Sequence, residues 1–248
     1  MSVLLRMAGV SRAARRGGRV EPLLVDVSLD VGAGELVAVV GMRSQGKTTL
    51  TQIAAGMRRP DAGVVLFNGL DLAGLSGGEH ARLLREEIGL VGQSGPRVDL
   101  RMVHYVAAPL LVNRRRAQRR AAFVRAQAAL ERVGVASRSE QRWDDLSRWD
   151  RALVEIAQGI VGGPRLLLID DVSDGLGMRE TAHVTGLLRS LVREDGIGVL
   201  MAVSDGEAAL SAHRVFLLAG GRLKAIAGKN GPPENVIALP VAKRAGLV

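Results

Sequence analysis

The run Gly41-Met42-Arg43-Ser44-Gln45-Gly46-Lys47-Thr48 has the spacing G-x-x-x-x-G-K-[ST]. An apolar stretch, residues 36–40, precedes it, and apolar residues at Leu50, Ile53, Ala54 and Met57 follow at helical spacing. Strand, glycine loop and helix in that order suit one chemistry, the grip of a nucleotide's phosphates. Gly41 and Gly46 let the backbone curl so that N–H groups along Arg43, Ser44 and Gln45 face an anion. The helix opening at Lys47, Thr48 and Thr49 adds partial positive charge. Lys47 is placed to reach the β- and γ-phosphates and the Thr48 hydroxyl to ligate Mg²⁺. The plain alternative, a glycine turn with a chance Lys-Thr, does not account for the flanking strand and helix.

A second acidic element is Leu166-Leu167-Leu168-Ile169-Asp170-Asp171. A buried strand of a parallel sheet would deliver these two carboxylates beside the phosphate loop. Asp170 then fits the task of holding Mg²⁺ through water, and Asp171 stands where a base or water-orienting group acts. Asp-Asp after an apolar run is a weak signal alone; the loop upstream makes it a strong one.

Such residues need strands that end at one edge. Residues 3–5, 23–29, 36–40, 64–67, 88–91, 166–169, 199–203 and 215–218 read as strands. Several are continuously apolar, as strands buried on both faces are. Leu153, Ile156, Ala157 and Ile160, and again Val184, Leu187, Leu188 and Leu191, keep the helical i, i+3, i+4, i+7 spacing. Alternating strands and helices predict an α/β fold with a mostly parallel sheet. Residues 101–162 show no clear strand and read as a helical insertion. Its basic run, Arg114, Arg115, Arg116, Arg119 and Arg120, is a solvated helix face or a patch for phosphate or a partner. Residues 229–248, with Pro232 and Pro233, read as a loosely packed extension of a domain spanning 1–228.

Composition narrows the class. The chain of 248 residues is 47% hydrophobic but only 2% aromatic, so Leu, Val, Ile and Ala must build the core. With no cysteine there is neither disulfide nor thiolate metal site, which fits a reducing compartment. No stretch approaches the roughly 20 apolar residues of a membrane span, and no secretory signal opens the chain, so a soluble, cytoplasmic protein is expected. The net charge of +9 suits nucleic acid, anionic lipid or an acidic partner without choosing among them.

With these residues in place, the chain resembles the ATP-binding subunits of ABC transporters over nearly its whole length. The stretch from Val25 to Ser28 with Gly34-Glu35-Leu36 looks like the family's lead-in, and Gly92-Gln93 looks like its Q-loop. Residues 69–93 most resemble the lipoprotein-release and macrolide-export type. The resemblance implies a P-loop NTPase fold of the ABC ATPase type, with an N-terminal antiparallel β part and a helical subdomain. It implies Mg-ATP as ligand, with Gln93 touching both Mg²⁺ and a transmembrane permease subunit. It further implies a head-to-tail dimer and a place on the inner face of the plasma membrane.

The chain also departs from the family pattern. The signature LSGGQ is replaced by Leu146-Ser147-Arg148-Trp149-Asp150, so Arg148 and Trp149 put large side chains where glycines let backbone approach a phosphate. Ser147 survives. The catalytic Glu is Asp171, one methylene shorter. The switch His aligns with Ser204, which lacks an imidazole's reach and titration. The D-loop aspartate aligns with Gly177, and near Arg15 and Arg16 no aromatic offers to stack on adenine. Leu75-Ser76-Gly77-Gly78-Glu79 mimics the signature but lies before Gln93, and Ser76 with Glu79 has the spacing of a helix capping box.

Three readings follow. The first is a transport ATPase with slow or partner-dependent hydrolysis. The second is an ATP-gated subunit that does not hydrolyse, as a homodimer or paired with a second, competent ABC ATPase. The third, a nucleic-acid-associated cassette, is disfavoured because no heptad run of several repeats is present.

Overall fold

The computed structural model describes residues 2–16, 19–92, 95, 100–112, 116–204 and 206–227. Gln93, Asp205, Arg114, Arg115 and the extension at 229–248 lie outside them, as do the side chains of Arg15, Arg16 and Arg116.

The chain opens with a hairpin of β1 (Val3–Arg16) and β2 (Arg19–Gly32) and continues through β3 (Leu36–Val40), α1 (Lys47–Ala54), β4 (Ala62–Phe67), β5 (Leu70–Asp71), α2 (Gly77–Glu86) and β6 (Ile88–Val91). Three helices follow: α3 (Met102–Leu111), α4 (Arg116–Arg132) and α5 (Arg148–Ile160). The chain then runs through β7 (Leu166–Asp170), α6 (Met178–Glu194), β8 (Gly198–Val203), α7 (Gly206–Ala209), β9 (Arg214–Ala219) and β10 (Arg222–Ala227).

A four-stranded sheet, β2-β1-β4-β5, is antiparallel throughout; a six-stranded sheet has the order β10-β9-β3-β8-β7-β6. In the larger sheet every pairing is parallel except β9 with β10. The expected antiparallel part, parallel core and helical insertion are therefore all present.

The apolar runs have a simple origin. Successive side chains of a strand point to opposite faces. On β3, Leu36, Ala38 and Val40 join one core with α3 to α6, while Val37 and Val39 join a second core with α1, β1, β2 and β4. Likewise Leu167 and Ile169 of β7 face the first core, and Leu166 and Leu168 the second. Both faces of the sheet are covered, so no polar alternation is left to see.

Sequence reading fell short at strand margins. The first strand runs to Arg16 rather than residue 5, because its outer half is satisfied by pairing with β2 and carries no apolar run. The spacing that included Met57 overshoots: α1 ends at Ala54, Gly56 turns at φ +70, and Met57 is exposed.

Candidate functional site

Three adjacent parallel strands bring the site together. Val40 is level with Val203, and Asp170 with Ala202, so β3, β8 and β7 end side by side. The chain beyond each end is stitched to its neighbour: Gly41 N–H donates to Val203 O at 3.1 Å and Asp171 N–H to Ala202 O at 2.8 Å. Residues 41–48 therefore meet 170–171 and 204, although over 100 residues of chain separate the loop from them.

The loop between β3 and α1 is shaped by left-handed backbone. Ser44 has φ +66 and Gly46 φ +98. A Cβ at Gly46 would stand 2.7 Å from Leu23 O, so no other residue fits beneath β2. Lys47 is buried, and its Nζ donates to Gly41 O at 2.8 Å, Met42 O at 3.1 Å and Ser204 Oγ at 2.9 Å. Thr48 is exposed at the loop's mouth. Burial pushes the Asp170 carboxyl above its ordinary value, and the nearby Thr48 hydroxyl partly offsets this. Thr49 is buried at the head of α1.

Asp171 sits just past β7 with φ +54, a conformation short polar residues tolerate best. Its Oδ2 accepts a 2.5 Å hydrogen bond from Ser204 Oγ and lies 3.8 Å from Lys47 Nζ; its Oδ1 accepts from Ser204 N at 3.2 Å. The carboxylate is thus turned onto Ser204 and Lys47. Asp170, Asp171, Lys47, Thr48 and Ser204 form one cluster.

The signature replacement lies elsewhere, at the head of α5. Ser147 caps that helix: its Oγ accepts from Asp150 N at 3.0 Å and donates to Asp150 Oδ2 at 2.8 Å. A carboxylate therefore occupies the first turn, where an incoming phosphate would seek N–H groups and positive potential. Trp149 turns inward and meets His183 of α6 edge-on at 5.1 Å. Arg148 lies along the chain after β7, donating to Asp174 O at 3.1 Å.

Sequence reading missed Asp150, Asp174 and Glu155. Ser147 and Asp150 have the same three-residue capping interval as Ser76 and Glu79, a signal that was available. Asp174 binds Arg43, 131 residues away, and Glu155 of α5 is buried near the Gly92 main chain just past β6; no local pattern announces either.

The carboxylates suit a metal ion, and Lys47 beside them suits the phosphate that the metal would accompany. Mg²⁺ prefers one or two protein oxygens plus substrate oxygens, and Thr48 with Asp170 offers that pair. Among the described residues no group of three or more His, Asp or Glu side chains could hold a metal unaided, so substrate oxygens would complete the shell.

The family description "ABC transporter" matches residues 24–174. The chain is 33% identical over 222 residues to the lipoprotein-releasing system ATP-binding protein LolD of Chromohalobacter salexigens, covering 89% of this chain and 93% of that protein. It is 35% identical over 223 residues, 90% of this chain, to the macrolide export ATP-binding/permease protein MacB 1/2 of Paracoccus denitrificans, and spans about a third (33%) of that protein's length. Among solved structures, the dimeric form of MJ0796, a bacterial ABC transporter cassette, superposes with a TM-score of 0.80 over 89% of this chain and 97% of that one, at 23% identity. The cbiO1 cassette from Clostridium perfringens gives 0.76 over 90% and 88%, also at 23% identity. Fold, phosphate loop and kinship agree: the chain belongs to the ABC transporter family as an ATP-binding cassette, a member of the ABC class of ATPases.

Proposed function

We propose that the chain binds Mg-ATP between its phosphate loop and β7. Lys47 and the backbone of Gly41, Arg43, Ser44, Gln45, Gly46, Thr48 and Thr49 would hold the phosphates, while Thr48, Asp170 and Gln93 hold the metal. The observation that carries this reading is the contiguity of Lys47, Thr48, Asp170 and Asp171 at three strand ends. Mg²⁺ would neutralise phosphate charge. Asp171 and Ser204 would orient water and hold a proton at the Asp171 carboxylate. The cassette domain would span 1–228 with its helical subdomain at 101–162, and 229–248 would extend from it. The relatives' names, an ATP-binding/permease protein and an ATP-binding protein of a releasing system, support coupling to a transmembrane permease at the inner face of the membrane. No described helix is long and apolar enough to cross a membrane.

Binding of a fluorescent ATP analogue to Lys47→Ala tests the site. Loss of Lys47 removes a buried cation that meets the phosphates, and affinity is expected to fall about tenfold or more. Unchanged affinity would refute the assignment.

A second reading is favoured by one observation. Asp150 fills the head of α5, so this signature is a poor phosphate contact in a dimer. The chain would then bind ATP without useful turnover on its own, and hydrolyse only beside a second ABC ATPase with an intact signature. Turnover by the purified chain at a typical transporter rate would rule that out.

A further inference from the structure

Asp174 joins the phosphate loop to the head of α5, which no strand connects. Its carboxylate accepts from Arg43 Nη2 at 2.9 Å and 2.7 Å, and its main-chain carbonyl accepts from Arg148 Nη1 at 3.1 Å. Arg43 belongs to the phosphate loop and Arg148 opens α5. Arg148 also covers Gly175 so closely that a Cβ there would lie 1.6 Å from its Nη1, and Gly175 has φ +77. The guanidinium therefore holds the chain at Asp174 in one course, with the carboxylate toward Arg43. Asp171 adds negative charge within electrostatic reach of Arg43.

A guanidinium offers the same planar fork to a carboxylate and to a phosphate. The Arg43 side chain is 76% exposed and rises from the loop that meets the phosphates, so the pair with Asp174 sets its direction. An exposed ion pair of this kind is weak and open to exchange. We propose that Asp174 is a positioning residue that rivals the nucleotide's phosphates for Arg43, with Arg148 keeping its carboxylate in place. A bound di- or triphosphate draws Arg43 away from Asp174, and this releases the head of α5 from the phosphate loop. The inference rests on the nucleotide site proposed above. It also gives Arg148 a task within its own chain.

Calorimetric titration of the intact chain with ATP, ADP and AMP tests it, using Asp174→Asn, Arg43→Ala, the double variant and Asp174→Glu. Asp174→Asn is expected to tighten ATP about three- to fivefold, and the gain should shrink in high salt. It should vanish in the Arg43→Ala background, be absent for AMP, and be reversed by Asp174→Glu. Unchanged or weaker ATP binding in Asp174→Asn, or an equal gain without Arg43, would overturn the proposal. If Asp174→Asn does not fold, Arg148→Ala frees the carbonyl while leaving the carboxylate, and should tighten ATP in the same direction; no change there overturns it too. Lys47→Ala in the same titration separates the failures. Loss at Lys47 with no gain at Asp174 sinks only the rivalry, whereas full affinity at Lys47→Ala sinks the site and the rivalry together.

Discussion

Asp171 pairs a short side chain with a left-handed backbone, and the two belong together. At φ +54 a short polar residue is comfortable, and from there its carboxylate reaches Ser204 and Lys47. An acid one methylene longer would carry its carboxylate beyond this contact. Ser204 in turn is spent between Lys47 and Asp171, as acceptor from one and donor to the other. Displacement of a reacting group by about 1 Å can cost roughly 10²-fold in rate. Asp171→Glu combined with Ser204→His is therefore predicted to raise phosphate release about tenfold or more over the parent chain. If steady-state release does not rise, the limit lies instead at the head of α5, where Asp150 sits.

Two helices in this chain start with a serine followed three residues later by an acid, and they differ in consequence. On α2, Ser76 and Glu79 form a complete capping box: Glu79 N donates to Ser76 Oγ at 3.3 Å and Ser76 N to a Glu79 carboxylate oxygen at 2.9 Å. The look-alike signature is thus a helix start on an exposed helix. Ser76→Ala is predicted to cost about 1 kcal/mol, or roughly 2–4 °C in thermal unfolding. ATP affinity should stay at the parent value; a clear fall would make this segment part of the nucleotide site. On α5, Ser147 is a simple N-cap: its Oγ accepts from Asp150 N and donates to the Asp150 carboxylate, which brings negative charge to the first turn of that helix.

At the scale of the molecule, α5 is the link between the helical insertion and the sheet. Its inner face packs on the core through Leu153, Ile156 and Ala157, and Glu155 is buried beside the end of β6. Burial pushes the Glu155 carboxyl up from 4.5 to about 7. The folded value lies above the unfolded one. The contribution of neutral Glu155 is therefore complete below about 4.5 and is lost as pH rises through about 7. The linked cost approaches roughly 3 kcal/mol at full ionisation. Glu155→Gln keeps the side chain's size and polarity but never ionises. Its melting temperature relative to the parent is predicted to climb by about 5 °C or more between pH 5 and pH 8. A constant difference across that range would show that Glu155 does not titrate there.

The phosphate loop, the acidic strand end and most of the parallel sheet were legible because each is written in contiguous residues. Strands covered on both faces are apolar runs, and a glycine loop between strand and helix has a fixed spacing. The margins were not legible: β10 and the outer half of β1 are held by hydrogen bonds to neighbours rather than by an apolar pattern. By itself the sequence determined what could bind, since one short segment carries the lysine, the hydroxyl and the glycines. Only the tertiary structure decided what those groups are tied to. The bonds of Arg43 to Asp174, Asp171 to Ser204 and Arg148 to Asp174 join residues far apart along the chain. Their partners are chosen by which strands and helices end beside one another, and local spacing holds no record of that.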